Sequence, residues 1–436
     1  MEQRESAAEI VHHIIESLRS WEKAQNGTGV SGPFVPGTID EREWESLSLT
    51  NGFPGVALLF AEHSANDPAS SKIAHEYLDQ ARLHVRAADL SHPGLYHGIG
   101  SLAFAVNAAH QATGGYRSSI ETLDTAMRRG AATILENVHS GISATFRNFD
   151  AISGLSGVGR YLLNRPTSDN RDALKSILSY CVSLTEMTEE DGEALPRWWV
   201  RHAPNRYIPD AQARDGHGNL GLAHGIAGPL TLLIDAHVAG VEVDGQLDSI
   251  RALADTLLRW TAHDEYGMYW PSFISFTAFK DGALPAGERR LRPSWCYGVP
   301  GVSYAVLRAG TVLRDARYRT AAIDSVNSML SLPPDALGIA DSSICHGWAG
   351  LLHLVQKIER TGEVNFSGAA DLLAARVIEQ FNPETPFGYQ FAVMDPAVSV
   401  NSPGFLDGAA GVALALHSYA HDENPVSQWD SALLLA

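Results

Sequence analysis

Apolar residues along this 436-residue chain gather in runs that cover most of a helix circumference, and each run follows a short signature containing glycine. The signature is a polar residue, Gly, two variable residues, a small residue and then the apolar run. It recurs seven times: NGFPGVALLF at 51, HGIGSLAFAV at 97, SGLSGVGRYL at 153, HGIAGPLTLL at 224, YGVPGVSYAV at 297, HGWAGLLHLV at 346 and DGAAGVALAL at 407. The small residue is Gly in six copies and Ser101 in the second. First glycines lie roughly 46 to 73 residues apart, which leaves room for two helices per repeat. Runs that are apolar nearly all round predict buried helices. Between them lie segments with a single apolar stripe, among them SSKIAHEYLDQARLHVRAA, SSIETLDTAMRRGAATILENV, DSIRALADTLLRWTAH and AADLLAARVIEQF, which predict an outer layer. The alternation predicts an all-α chain, an α/α toroid (barrel) of seven inner and seven outer helices. Parallel inner helices bring the seven signatures to one end, where free N–H groups and positive dipole ends face one cavity.

Residues 1–44 open with an amphipathic segment, MEQRESAAEIVHHIIESLRS, and read as an N-terminal helical extension to a toroid spanning 45–436. Two stretches rich in Trp, Tyr, Phe and Pro, near 193–215 and 266–292, interrupt the helical pattern. They predict loops or short hairpins inserted at the rim before the fourth and fifth inner helices.

Composition narrows the function classes. Hydrophobic residues at 45% and charged residues at 19% suit a globular core and argue against disorder. A formal charge of −18 argues against a nucleic-acid-binding surface. The acidic start lacks the features of a signal peptide, and no apolar stretch reaches the roughly 18 residues of a membrane span. A cytoplasmic protein with no transmembrane segment is expected. Three cysteines make no disulfide framework, and the odd number fits a reducing compartment.

The residue before each first glycine is Asn51, His97, Ser153, His224, Tyr297, His346 or Asp407. Helix capping accounts for Asn51, Ser153 and Asp407 but not for three histidines and a tyrosine. One position further back stand Cys296 and Cys345, at matched places in the fifth and sixth repeats (WCYGVPG and ICHGWAG), and His346 follows directly. Two thiolates and an imidazole form a zinc set. The third cysteine, Cys181, lies in the helical run LKSILSYCVSL and reads as core. Three protein ligands leave a fourth position open, as catalytic sites do. Such a zinc carries a net charge near zero and is a weak Lewis acid. A substrate thiol bound to it deprotonates at neutral pH and stays nucleophilic, so thiol activation fits these ligands better than hydrolysis.

The segments NGFPG, FDAISGLSG, NLGLAHGIAG, RPSWCYGVPG, ICHGWAG and GFLDGAAG resemble the motifs of the lanthionine synthetase C-like family, the cyclases of lantibiotic biosynthesis, from about residue 45 onward. The resemblance implies an α/α toroid with one zinc ion on Cys296, Cys345 and His346. It implies addition of a peptide cysteine to dehydroalanine or dehydrobutyrine, giving a (methyl)lanthionine thioether ring. His224 matches the active-site histidine, Asp150 the acidic residue, and Arg292 and Tyr297 flank the metal cysteine. In physical terms His224 is a candidate general acid or base, Asp150 its orienting group and Arg292 a holder of the enolate oxygen. Asp150 also admits a plain capping role, and His97 and His217 read as structural or rim residues. The implied substrate is a dehydrated precursor peptide, and the implied partners are a dehydratase and an exporter in a synthetase complex, which would place the protein at the membrane through its partners. Length fits a stand-alone class I enzyme.

Three other readings stay open. One is a non-catalytic zinc and thiol scaffold, like the glutathione-binding relatives that share the ligands. A toroid glycosidase needs paired acids at the motif end, where only Asp150 and Asp407 lie. A zinc-dependent prenyltransferase needs an Asp-Cys-His set and basic residues for diphosphate.

Overall fold

The computed structural model describes residues 2–31, 44–85, 93–139, 145–190, 192–204, 215–392 and 399–435. The expected extension over 1–44 and the insertion over 193–215 fall partly outside them, at 32–43 and 205–214. The chain forms two compact units: Met1–Ala126 with Ile339–Ser431 and Leu435–Ala436, and Met127–Gly338 with Ala432–Leu434. Every one of the seven apolar runs is a helix. The first unit holds Phe53–His63, Gly98–Thr113, Trp348–Glu359 and Ala409–His421. The second holds Leu155–Leu163, Ala227–Val238 and Val299–Val312. Nearly all their residues are buried, as helices without a polar face require.

The striped segments are the partners of these helices. Ser70–Leu83 packs on Phe53–His63 and Ala369–Glu379 on Trp348–Glu359 in the first unit. Ser168–Ser183, Gln246–Arg259 and Ala316–Leu330 pack on the three inner helices of the second. Arg117–His139 begins in the first unit and ends in the second. The seventh inner helix receives its partner from the other end of the chain: Glu2–Ser17 packs on Ala409–His421 and touches Ala369–Glu379, burying Ile10, Val11, Ile14 and Ile15. Among the described residues no helix is long and apolar enough to cross a membrane.

Inner and outer helices begin differently. Thr167 and Asp315 cap outer helices by accepting the backbone N–H of Asn170 and Arg317. Inner helices begin at Gly52, Gly154, Gly347 and Gly408 with no side-chain cap. The cap position expected for Asn51, Ser153 and Asp407 is taken by the glycine that follows each of them. The later glycine of the signature is needed for space. A methyl group at Gly55, Gly301, Gly350 or Gly411 would stand 2.1, 2.2, 2.1 or 1.9 Å from the carbonyl oxygen six residues earlier. In the second repeat Gly100 fills this place, 2.2 Å from the Gly94 oxygen, and His97 is the cap. The register there is one residue off the sequence alignment, so Ser101 is no exception and Tyr96 holds the collar position.

The insertions form hairpins. Met187–Glu190 pairs with Glu193–Pro196, and Ala262–Asp264 with Gly267–Tyr269, both antiparallel. His217–Asn219 pairs with Phe273–Ser275, so strands at the edges of the two insertions form one ribbon. Trp198, Trp199, Tyr269 and Trp270 are buried, which makes the aromatic residues the packing of this flap.

Candidate functional site

In the second unit the signature loops are laced together by backbone hydrogen bonds. Ala151 N donates to the Ala223 oxygen, and Leu222 N and Ala223 N both donate to the Cys296 oxygen. This brings Asp150, His224, Cys296 and Tyr297 onto three adjoining loops. Asp150 is completely buried, and its Oδ1 accepts the N–H groups of Ser153 and Gly154, each at 2.7 Å. Its Oδ2 lies 2.6 Å from His224 Nδ1. One carboxylate thus serves the helix start and the histidine at once, and the capping and orienting roles weighed for it coexist.

His224 is 30% exposed and lies against the rings of Phe146, at 4.9 Å between centroids, and Tyr297, at 6.3 Å. Burial works to lower its pKa, but the hydrogen bond and charge of Asp150, with the nearby Cys296, outweigh it and hold the pKa above the usual histidine value. An imidazole poised in this way can carry and release a proton near neutral pH.

Tyr297 is oriented by a residue that sequence reasoning passed over. Asn219 donates to the Tyr297 hydroxyl at 3.2 Å and folds its own loop by accepting Gly221 N at 3.1 Å. It sits on the strand His217–Asn219, so the aromatic flap is tied to the site. Only its place within NLGLAHG hinted at this. Ser294 is a second such residue, with Oγ 3.3 Å from Cys296 Sγ and bonded to the backbone of Tyr297. Arg292, four residues before Cys296, is exposed. His217 is buried with Nδ1 on the His202 oxygen, and its pKa is pushed down to about 4, as a structural residue. Cys181 is buried, its thiol pushed up to about 12, as expected of core.

In the first unit a parallel lacing runs from Leu49 N to the Tyr96 oxygen, Phe405 N to the Leu49 oxygen and Cys345 N to the Leu406 oxygen. It gathers Cys345, His346 and Asp407, whose ligand atoms lie within 4.8 Å of one another. His346 Nδ1 is 3.0 Å from Ser343 Oγ, which leaves Nε2 for the cluster, and Nε2 is 3.4 Å from Asp407 Oδ1. That oxygen is buried and has no hydrogen-bond partner among the described residues. A thiol, an imidazole held from behind and an unsatisfied carboxylate oxygen suit a metal ion, and this group can hold one. Asp407 was expected to be a cap and is instead part of this cluster. His97 is exposed and pairs with Glu45 at 3.2 Å, as a rim residue.

Residues 43–434 match the family model described as lanthionine synthetase C-like protein, an extent that shows the family. The nisin biosynthesis protein NisC of Lactococcus lactis subsp. lactis is 23% identical over 397 residues, 90% of either chain. A solved nisin cyclase superposes with a TM-score of 0.73 at 22% identity, covering 89% of this chain and 92% of that one. The likeness shows the fold, the α/α toroid expected from the repeats.

Proposed function

We propose that this chain, which belongs to the lanthionine synthetase C-like family, closes thioether rings by adding cysteine thiols of a dehydrated peptide to dehydroalanine or dehydrobutyrine. The names of its relatives, a nisin cyclase and a nisin biosynthesis protein, support this reading. The observation that carries it is the His224–Asp150 pair at 2.6 Å, in the same unit as Cys296. A scaffold that only held a metal would have no use for an imidazole charged by a buried carboxylate.

Zinc is the metal proposed, with His346, Cys345 and, by its matched place in the fifth signature, Cys296 as ligands. When bound, it lowers the pKa of the substrate thiol so that sulfur attacks at neutral pH. The chain's own groups handle the rest. Sulfur bonds to the β-carbon, and the double-bond electrons move onto the carbonyl oxygen. Arg292, exposed at the rim, and the Tyr297 hydroxyl held by Asn219 stabilise that oxygen. His224 then delivers a proton to the α-carbon, while Asp150 keeps its ring oriented. The cyclase body proposed over 45–436 takes the helix Glu2–Ser17 of the 1–44 extension as a packing partner of its last inner helix. Service beside a dehydratase, whose product is the substrate, and an exporter belongs to the same proposal.

Metal analysis and a ring-closure assay test the reading together. About one zinc per chain is expected, lost in Cys296→Ala and Cys345→Ala. His224→Asn is expected to keep zinc and to slow ring closure on a dehydrated precursor by about 100-fold or more. Full zinc in both cysteine variants would overturn the ligand set, and normal cyclisation by His224→Asn would overturn the proton donor.

A further inference from the structure

We propose that Arg147 is a catalytic residue of ring closure, a cation that holds the carbonyl oxygen of the dehydro residue while negative charge builds on it. The inference rests on the cyclase reading above and deepens it. Arg147 lies on the one-turn helix Phe146–Phe149, which ends with Asp150 N donating to the Phe146 oxygen at 2.8 Å. Positions four apart share a helix face, and here both of them meet His224. The Phe146 ring is 4.9 Å from the imidazole between centroids, and the Asp150 carboxylate is 2.6 Å from Nδ1. Arg147 stands beside that face and is exposed. With burial, its charge opposes the pull of Asp150 on the ring proton, so it is close enough to act on the imidazole. All four residues belong to the Met127–Gly338 unit. Among the described residues no carboxylate pairs with Arg147, in a chain with 50 Asp and Glu against 32 Lys and Arg. A cation left unpaired beside the proton donor, in so acidic a chain, is free to meet an anionic group of the substrate.

The reaction produces such a group within its reach. Asp150 occupies His224 Nδ1, so Nε2 is the atom that gives a proton to the α-carbon. Reacting atoms meet at about 3–3.5 Å, and a carbonyl oxygen lies about 2.4 Å from its α-carbon. The oxygen therefore comes within roughly 6 Å of Nε2, a span that an arginine side chain beside the imidazole covers. The thiol proton leaves to solvent, and sulfur then bonds to the β-carbon. The Cα=Cβ pair moves to join the α-carbon to the carbonyl carbon, and the C=O pair moves onto oxygen as a full negative charge. That charge vanishes when the His224 proton bonds to the α-carbon and the C=O bond returns. Arg147 stays protonated throughout, and its attraction is stronger in the transition state than in the ground state. It adds to Arg292 and the Tyr297 hydroxyl, since one enolate oxygen accepts more than one donor.

The test follows ring closure by the full-length, zinc-loaded protein on a synthetic peptide bearing one dehydroalanine and one cysteine. Arg147→Gln is expected to lower kcat by about 100-fold, the scale of one lost oxyanion donor, and to leave KM within about twofold. Arg147→Lys keeps the charge without the fork and is expected to recover part of the rate. The exposed site admits a small cation, so methylguanidinium added to Arg147→Ala is expected to restore part of it as well. A merely structural role would not respond to an added cation. A raised KM at unchanged kcat would make Arg147 a docking residue and overturn the assignment, as would wild-type values of both constants. Wild-type protein that closes no ring overturns the cyclase reading and this inference with it.

Discussion

Replacing Asp150 by Asn separates orientation of His224 from everything else the loop does. The side chain keeps its volume, and its oxygen can still accept Ser153 N and Gly154 N, the two bonds at 2.7 Å that start the Leu155–Leu163 helix. What changes is the third contact, at 2.6 Å, where an amide N–H now faces His224 Nδ1. Nδ1 must become an acceptor, so the ring proton moves to Nε2, and the charge that favoured the imidazolium is lost. A hydrogen bond to a charged group contributes about 1.5–3 kcal/mol, a factor of about 10–150 in rate if the transition state feels it fully. Ring closure should fall by that factor, the His224 pKa should drop from its raised value, and zinc content should stay the same. Timed mass spectrometry of the dehydrated peptide, with free thiols alkylated, measures the rate. Nitrogen-15 spectra of labelled histidine measure tautomer and titration. A variant that cyclises as fast as wild type, with the ring proton still on Nδ1, would refute the orienting role.

Two further outcomes follow from packing and burial. Gly100→Ala and Gly301→Ala each place a methyl 2.2 Å from a carbonyl oxygen and should cost at least about 2 kcal/mol in denaturant unfolding, whereas Ser101→Gly, which restores the sequence pattern, should gain nothing. A stabilising Ser101→Gly would show that the register assigned to the second repeat is wrong. His217 is neutral when folded, with a pKa near 4 against 6.5 for an ordinary histidine, so protons bind the unfolded chain first as pH falls. Its contribution to stability is lost from about pH 6.5 downward until pH 4, amounting to about 2 kcal/mol between pH 7 and 5. His217→Gln should flatten that part of the pH profile of the unfolding midpoint. An equally steep profile in the variant would mean that other groups cause the acid sensitivity.

The seven inner helices were legible because glycine punctuation and an all-round apolar run coincide seven times, and neither feature depends on distant contacts. The outer helices followed from their single stripe. The second repeat was misaligned because HGIGS contains two glycines, and only the approach of the Gly94 carbonyl decides between them. Asp407 was read as a cap because a polar residue beside a glycine looks the same whether it caps the helix or precedes the cap. Its place beside His346 depends on Phe405 and Cys345 joining their neighbours through the backbone, which no local pattern reveals. Asn219 and Ser294 were missed for the same reason: small polar residues in loops carry no signal until their partners are known. Arg292 shows the opposite case, a residue with a clear motif position and an exposed side chain that only a bound substrate would engage.

The pairing of Glu2–Ser17 with Ala409–His421 has a consequence in time. Some 390 residues separate the two helices, and a ribosome adding about 5–20 residues per second needs roughly 20–80 s to cover them. Until Ala369–Glu379 and Ala409–His421 are made, Ile10, Val11, Ile14 and Ile15 lack these two native partners. The Met127–Gly338 segment, continuous in sequence but for three late residues, can condense meanwhile. Birth order and folding order therefore differ: of this helix pair, the one made earlier waits for the one made later before its apolar stripe is covered.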